Sequence, residues 1–524
     1  MHDDPADIDE GRLGDDHIDV VAEPIRYRRS PLLFLVLAAA LPAIGLLVLQ
    51  RWADDEADRY EQTNSIGLFD VELNGEFVTS AERAAADGEG AQPSAVTTRL
   101  LDFRRSPATV AAAASADRLG VALEPVLGFL SDESCVTIAV DGVVVSELNP
   151  LLPVIPASTQ KLLLAASALD VLGPDHRFTT SVAIPPIQDG VVDGDIFLVG
   201  GGDPVLTSSE FGGGGEGRVT TSFDAVADAI VAAGVTRIRG TVIGDGTRYD
   251  DEFFVDEWAD DVPFIEAGPY DALLANDARV VGRSGVESDP NEAAARELVR
   301  LLNVRGVQVD NGWGSGAASN LVPVAVAVES APLVEIVGDM LLTSDDNSAE
   351  MLLKEMGVAT AQQGTRAAGL SAMADSLERN GVEMNGVRLR DGSGLSAENR
   401  VTCTAIADVL HLAADGPLAS ALPVANRTGT LADEFEGSPM AGRLTAKTGT
   451  LGNPPIGVEP PGVKALAGFV PPMPGSDAGT IEFAIIANQE LITDETFYRP
   501  LWTAFGERFA AFPTGPDRES LGPR

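Results

Sequence analysis

The sequence predicts a mixed α/β (α+β) protein with a β-rich domain inserted into it, carried behind an apolar N-terminal segment. Three observations lead there. "CVTIAVDGVVVSEL" (135–148) is β-branched and alternating on both sides of Asp141-Gly142, the signature of a hairpin closed by a tight turn. An apolar helical run follows Ser158 and is stopped by Gly173-Pro174. Between about 182 and 320 the text changes to short β-rich runs such as "DIFLVGGGD" and "TRIRGTVIGD", punctuated by glycine turns.

Residues 1–30 are acidic and long for the leading part of a signal peptide, and read as a cytoplasmic tail. Residues 31–50 begin with 19 uncharged apolar positions, "PLLFLVLAAALPAIGLLVL". At about 1.5 Å per residue they span roughly 28 Å, the thickness of a bilayer core. Arg26, Arg28 and Arg29 precede the run, which orients the N-terminus to the cytoplasm and everything after Trp52 to the outside. The expectation is a single-pass cell-membrane protein with an extracytoplasmic working part. Residues 51–118, rich in alanine, glycine and acids, read as a disordered stalk. Helical periodicity returns at 333 ("LVEIVGDMLLTSDDNSAEMLLKEMG"), and strands and helices alternate to about 512 before a flexible tail at 513–524.

Charge excludes some partners. With 36 basic against 79 acidic residues and a net charge of -43, the chain is unsuited to nucleic acid. Two cysteines, Cys135 and Cys403, are too few for a zinc ribbon or an iron–sulfur site. Both fall in the external part, where they form either a disulfide or two buried thiols. Among the four histidines no H-E-x-x-H occurs, and neither His176 nor His411 sits in a catalytic motif.

Only four of the basic residues are lysines. One is Lys161, three places after Ser158 in "IPASTQKLLLAASALDVLGP" and on the same helix face one turn later. A serine hydroxyl becomes nucleophilic when a base takes its proton. A buried amine can be that base, and a guanidinium cannot. Another is Lys447, in "RLTAKTGTL". There Gly449 leaves one strand face bare for a neighbouring chain, while Lys447 and Thr448 are placed to hold a carboxylate. Between them "TSDDNSAEMLLKE" opens a helix, with Ser344 or Asp345 as its cap.

Taken together, S-x-x-K, a serine-rich turn and K-T-G resemble the penicillin-binding proteins, and among them the low-molecular-mass class C D-alanyl-D-alanine carboxypeptidase/endopeptidases. "FLVGGGDPVL", "DGSGLSAENRVT" (391–402) and "LPVANRTGTL" add to the resemblance, which covers about 119–512. It implies an antiparallel sheet flanked by helices, built from 119–182 and 320–512, with the insert at 183–319. It also implies a serine acyl-enzyme on peptidoglycan stem peptides and acylation by β-lactam antibiotics, with no metal and no cofactor. Ser158 would be the nucleophile, Lys161 its base and Ser344 a proton relay. Asp346, Asn347, Lys447, Thr448, Gly449 and Thr450 would bind substrate, and the backbone N–H groups of Ser158 and Thr450 would form the oxyanion hole. The alternatives are a serine β-lactamase or a catalytically impaired, membrane-tethered peptidoglycan-binding homologue.

One departure stands out. "SDDNSAE" puts Asp346 where the S-x-N motif has its asparagine. Asn347 lies about 100° further round the helix and cannot replace it. An ionised Asp346 accepts hydrogen bonds only and favours the charged form of Lys161. The lengthened segment "GNPPIGVEPPG" after K-T-G is a second departure, at the rim of the expected cleft.

Overall fold

The computed structural model describes residues 107–211, 217–259, 262–452, 462–473, 476 and 478–514. The expected tail (1–30), anchor (31–50) and most of the stalk lie outside the described residues. So do the glycine run at 212–216, residues 453–461 after K-T-G, and 515–524. Among the described residues no helix is long and apolar enough to cross a membrane.

The larger module is built on a five-stranded sheet in the order Thr445–Leu451, Val463–Val470, Ile481–Asn488, Cys135–Val140, Val143–Leu148. Every pairing in it is antiparallel. The Cys135–Leu148 hairpin turns at Asp141 (φ 48) and Gly142 (φ 77), the two left-handed residues a type I′ turn requires. Both faces of the sheet are covered, so its central strand Ile481–Asn488 is buried throughout. On one face lie helices Gln160–Leu172, Leu333–Thr343, Asp346–Ala361 and Cys403–Ala413. On the other lie Pro107–Leu127 and Glu495–Ala511, whose Tyr498, Trp502, Phe505 and Phe509 fill the second core.

Two expected boundaries need correction. The helix Pro107–Leu127 starts inside the segment expected as stalk, and Leu119, Leu123 and Val126 dock it on the sheet. That spacing is one helical stripe, obscured in the text by the alanines before it. The inserted sheet runs in the order Trp313–Ser315, Val242–Asp245, Ile196–Val199, Thr179–Ala183, Val324–Glu329. Its last two strands pair antiparallel to each other. Bounds of 183–319 therefore cut off the pair that brings the chain into and out of the insert. Helices Phe223–Ala232 and Pro290–Val304 complete the core of this module.

In the structure Cys135 and Cys403 are bonded (S–S 2.03 Å), tying the strand Cys135–Val140 to the helix Cys403–Ala413.

Candidate active site

Ser158 sits in a 3-10 turn, Ala157–Thr159, that leads directly into the helix Gln160–Leu172. Ala157 is left-handed (φ 48), and the Thr159 hydroxyl donates to Pro156 O at 2.6 Å, which fixes the turn. Gly394 (φ 90) comes so close that a Cβ there would lie 2.1 Å from Ala157 O. The "DGSG" loop therefore presses on the serine turn from behind. Ser158 is half-buried, whereas Lys161 is fully buried.

Lys161 Nζ donates to three acceptors: Ser158 Oγ at 3.0 Å, Asp346 Oδ1 at 2.5 Å and Ser393 O at 2.7 Å. The carbonyl of Ser393 is held by a buried carboxylate hub. Asp391 accepts from Gln160 Nε2, Gly394 N, Asn399 Nδ2, Ser396 N and, across from the insert, Trp258 Nε1 at 2.9 Å. Glu350 Oε1 accepts from Gly392 N (3.0 Å) and Ser393 N (2.7 Å). Burial, reinforced by Asp391, pushes the Glu350 carboxyl up to about 8.

Ser344 is a left-handed residue (φ 64) at the break between helices Leu333–Thr343 and Asp346–Ala361. The cap of the second helix is Asp345, which accepts from Ser348 N at 2.6 Å; of the two expected caps, Ser344 does not serve. Its hydroxyl instead receives Lys447 Nζ at 2.9 Å. Asp346 faces Lys161, and desolvation, partly offset by that lysine, raises its carboxyl to about 6. Asn347 turns away, as helical geometry demands. Its Oδ1 accepts from Gly268 N at 2.7 Å and its Nδ2 reaches Asp277 at 3.4 Å. Asn347 thus fastens the helix to the insert and does not join the Ser158–Lys161 cluster.

The strand Thr445–Leu451 is the sheet's edge. Lys447 is fully buried and also donates to Thr448 O at 2.8 Å. Burial and the nearby Lys161 pull its ammonium well below the usual range, against Asp346. A Cβ on Gly449 would stand 2.9 Å from Pro156 O and 3.2 Å from Thr159 N. The chain that glycine admits is thus the serine turn itself, seated against the strand. Thr448 Oγ1 donates to Thr430 Oγ1 at 2.7 Å, and Thr450 Oγ1 accepts from Lys464 Nζ at 3.0 Å.

These residues meet in a cleft of about 880 Å³, lined among others by Ser158, Ser344, Asp346, Thr448, Thr450 and Lys464. The motif reading missed Lys464 and the Ser393 carbonyl. Lys464 lies over the rings of Tyr498 (3.9 Å) and Trp502 (5.2 Å). Its scarcity as one of four lysines was a usable signal. A backbone carbonyl leaves none.

A serine activated by a buried amine beside an edge strand defines a serine acyl-transfer enzyme in chemical terms. The chain belongs to the D-Ala-D-Ala carboxypeptidase 3 (S13) family, which it matches over residues 132–287 and 273–498. It is 30% identical over 419 residues to a D-alanyl-D-alanine carboxypeptidase from Actinomadura, covering 64% of this chain and 73% of that one. It is 30% identical over 407 residues to Carboxypeptidase DacB of Mycolicibacterium smegmatis, covering 75% and 82%. In fold it is similar to the crystal structure of penicillin binding protein 4 from Haemophilus influenzae. There the TM-score is 0.60 at 20% identity, over 74% of this chain and 98% of the other.

Proposed function

We propose that this chain is a penicillin-binding D-alanyl-D-alanine carboxypeptidase/endopeptidase that hydrolyses peptidoglycan stem peptides through an acyl-enzyme on Ser158. The observation that carries the reading is the 3.0 Å contact between Ser158 Oγ and the ammonium nitrogen of fully buried Lys161. The stem peptide lies along the open edge of Thr445–Leu451 as an added strand. Lys447 and Thr448 take the terminal carboxylate, whose charge restores the ammonium that burial disfavours. Ser158 attacks the carbonyl of the penultimate D-alanine, and Lys161 receives its proton. The developing oxyanion is held by the N–H groups of Ser158 and Thr450, which the bare face of Gly449 lets approach. One such donor contributes about 3 kcal/mol to the transition state. Ser344, bonded to Lys447, relays a proton to the leaving amine. Water then attacks the ester and frees Ser158, whereas a β-lactam leaves an ester that persists.

The same reading places the enzyme outside the cell on a membrane anchor at 31–50. The apolar run and its preceding arginines support this.

The test is D-alanine release from a pentapeptide ending in D-Ala-D-Ala. Release by the wild-type chain, abolished in Ser158→Ala, is expected. Undiminished release by Ser158→Ala would contradict the assignment.

A further inference from the structure

The three donor positions of the Lys161 ammonium are all occupied: by the nucleophile, by a carboxylate and by a peptide carbonyl. In that state the nitrogen has no lone pair for the Ser158 proton. One N–H must first lose its hydrogen, and the three acceptors differ in their ability to keep it. Ser393 O is an amide carbonyl, and Ser158 Oγ is the group to be deprotonated. Asp346 Oδ1, 2.5 Å away, is the one acceptor that can bind the proton and hold it. An asparagine at this position could not.

Resting on the serine acyl-enzyme reading above, we infer that Asp346 is the proton acceptor that makes Lys161 a base, so that aspartate and lysine act as one proton-sharing unit. A proton passes from Lys161 Nζ to Asp346 Oδ1. Rotation about Cε–Nζ turns the vacated lone pair to Ser158 Oγ. As the Oγ–C bond forms and the carbonyl electrons move to oxygen, the Ser158 proton goes to Nζ. When the C–N bond breaks, that proton reaches the leaving nitrogen through the Ser344 hydroxyl. In deacylation water gives its proton to Nζ, and Nζ returns one to Ser158 Oγ as the ester collapses. Asp346 keeps its proton throughout, and the cycle consumes water alone.

The surroundings favour this exchange. Asp346 is largely desolvated, which holds its carboxyl up at about 6. The charged groups around it are Lys161 from the serine helix, Lys447 from the edge strand and Asp345 beside it. Asp277 and Arg218, from the insert, act on Asp345 in turn. Lys161 and Lys447 both pull that carboxyl down, and desolvation outweighs them. The replacement of the motif asparagine is then a change in how the base is made, and the site remains competent.

The unit carries one proton in its working state and fails when a second is added. The acid limb of acylation therefore belongs to the carboxyl. In Asp346→Asn the base that is left is an amine, a class of group more basic than a carboxylate. The experiment is the pH dependence of kcat/KM for acylation by a chromogenic cephalosporin, on folded wild-type, Asp346→Asn and Asp346→Glu chains. Wild type is expected to reach half its plateau near pH 6. Asp346→Asn is expected to move that midpoint up by at least about one unit, with an acylation rate at pH 7 lower by at least about tenfold. Asp346→Glu, which retains a carboxyl, is expected to keep the midpoint near wild type at a reduced plateau. An unmoved or lowered midpoint in Asp346→Asn, or faster acylation at pH 7, overturns the inference while leaving Ser158 as nucleophile. A midpoint in Asp346→Glu that departs from wild type by a unit also overturns it. No acylation of wild type at any pH overturns the serine reading, and this inference with it.

Discussion

Each of the four lysines in this arginine-rich chain is withdrawn from solvent. Lys161 and Lys447 are fully buried beside Ser158 and Ser344, and Lys464 is half-buried over aromatic rings at the cleft. Lys354 is buried against Asp250 of the insert at 2.6 Å. A guanidinium cannot release a proton in a protein. Lys161→Arg is therefore expected to lower kcat/KM for D-alanine release by about 10²–10⁴-fold, the worth of a general base. Stopped-turnover assays on the folded variant would show it, and retention of near-wild-type activity would contradict the role. Glu350 supports a pH prediction of its own. Its native carboxyl titrates near 8 and its unfolded one near about 4.3, so the native state binds the extra proton between those values. Its contribution to stability is full below about pH 4 and falls as pH rises to 8. Glu350→Gln keeps an oxygen for Gly392 N and Ser393 N, and should raise stability at pH 8 relative to pH 5 by roughly 3 kcal/mol. Thermal melts at the two pH values would check it; an equal Tm change at both would contradict it. At this scale Ser158, Lys161 and Lys447 were legible because chemistry restricts their type and spacing. The Ser393 carbonyl was not, since any residue could supply it, and the choice of Asp345 over Ser344 as cap depends on a backbone break.

The elements place these groups by close approach. The edge strand and the serine turn touch across Gly449, where an added Cβ meets Pro156 O, Ala465 Cβ and Thr159 N at 2.9, 3.1 and 3.2 Å. Gly449→Ala should push the turn outward and pull Ser158 N away from Thr450 N. The expected loss is about 10²-fold in kcat/KM with only a small change in Tm, a split that steady-state kinetics beside calorimetry would resolve. A variant as active as wild type would contradict the close-packing account. The sequence showed this glycine's purpose, a bare strand face, but not which chain would fill it. The Asp141-Gly142 hairpin was fully legible, because a type I′ turn demands two left-handed residues. The Pro107–Leu127 helix was not, because its alanine-rich first half carries no periodic contrast with the acidic segment before it.

Across the whole molecule, the insert grips the catalytic module at the site itself. Trp258 bonds Asp391, Gly268 N bonds Asn347, and Arg248 pairs with Glu355. Long-range bonds of this kind have no local signature, which is why the insert's boundaries were misplaced by a pair of strands. The Cys135–Cys403 bridge closes a loop of sequence separation 268. By chain entropy such a closure stabilises by on the order of 5 kcal/mol. Reduction, or a Cys135→Ala/Cys403→Ala double variant, should lower Tm by several degrees with Ser158 still reactive at low temperature. An unchanged Tm would contradict that contribution. The cysteine count alone left the bridge open, because two buried thiols fit the same sequence.

Peptide mapping by mass spectrometry after brief exposure of the full-length chain to benzylpenicillin tests the central claim most directly. The expected result is one penicilloyl adduct, located on Ser158. An adduct on any other residue, or none at all in a folded sample, would contradict it.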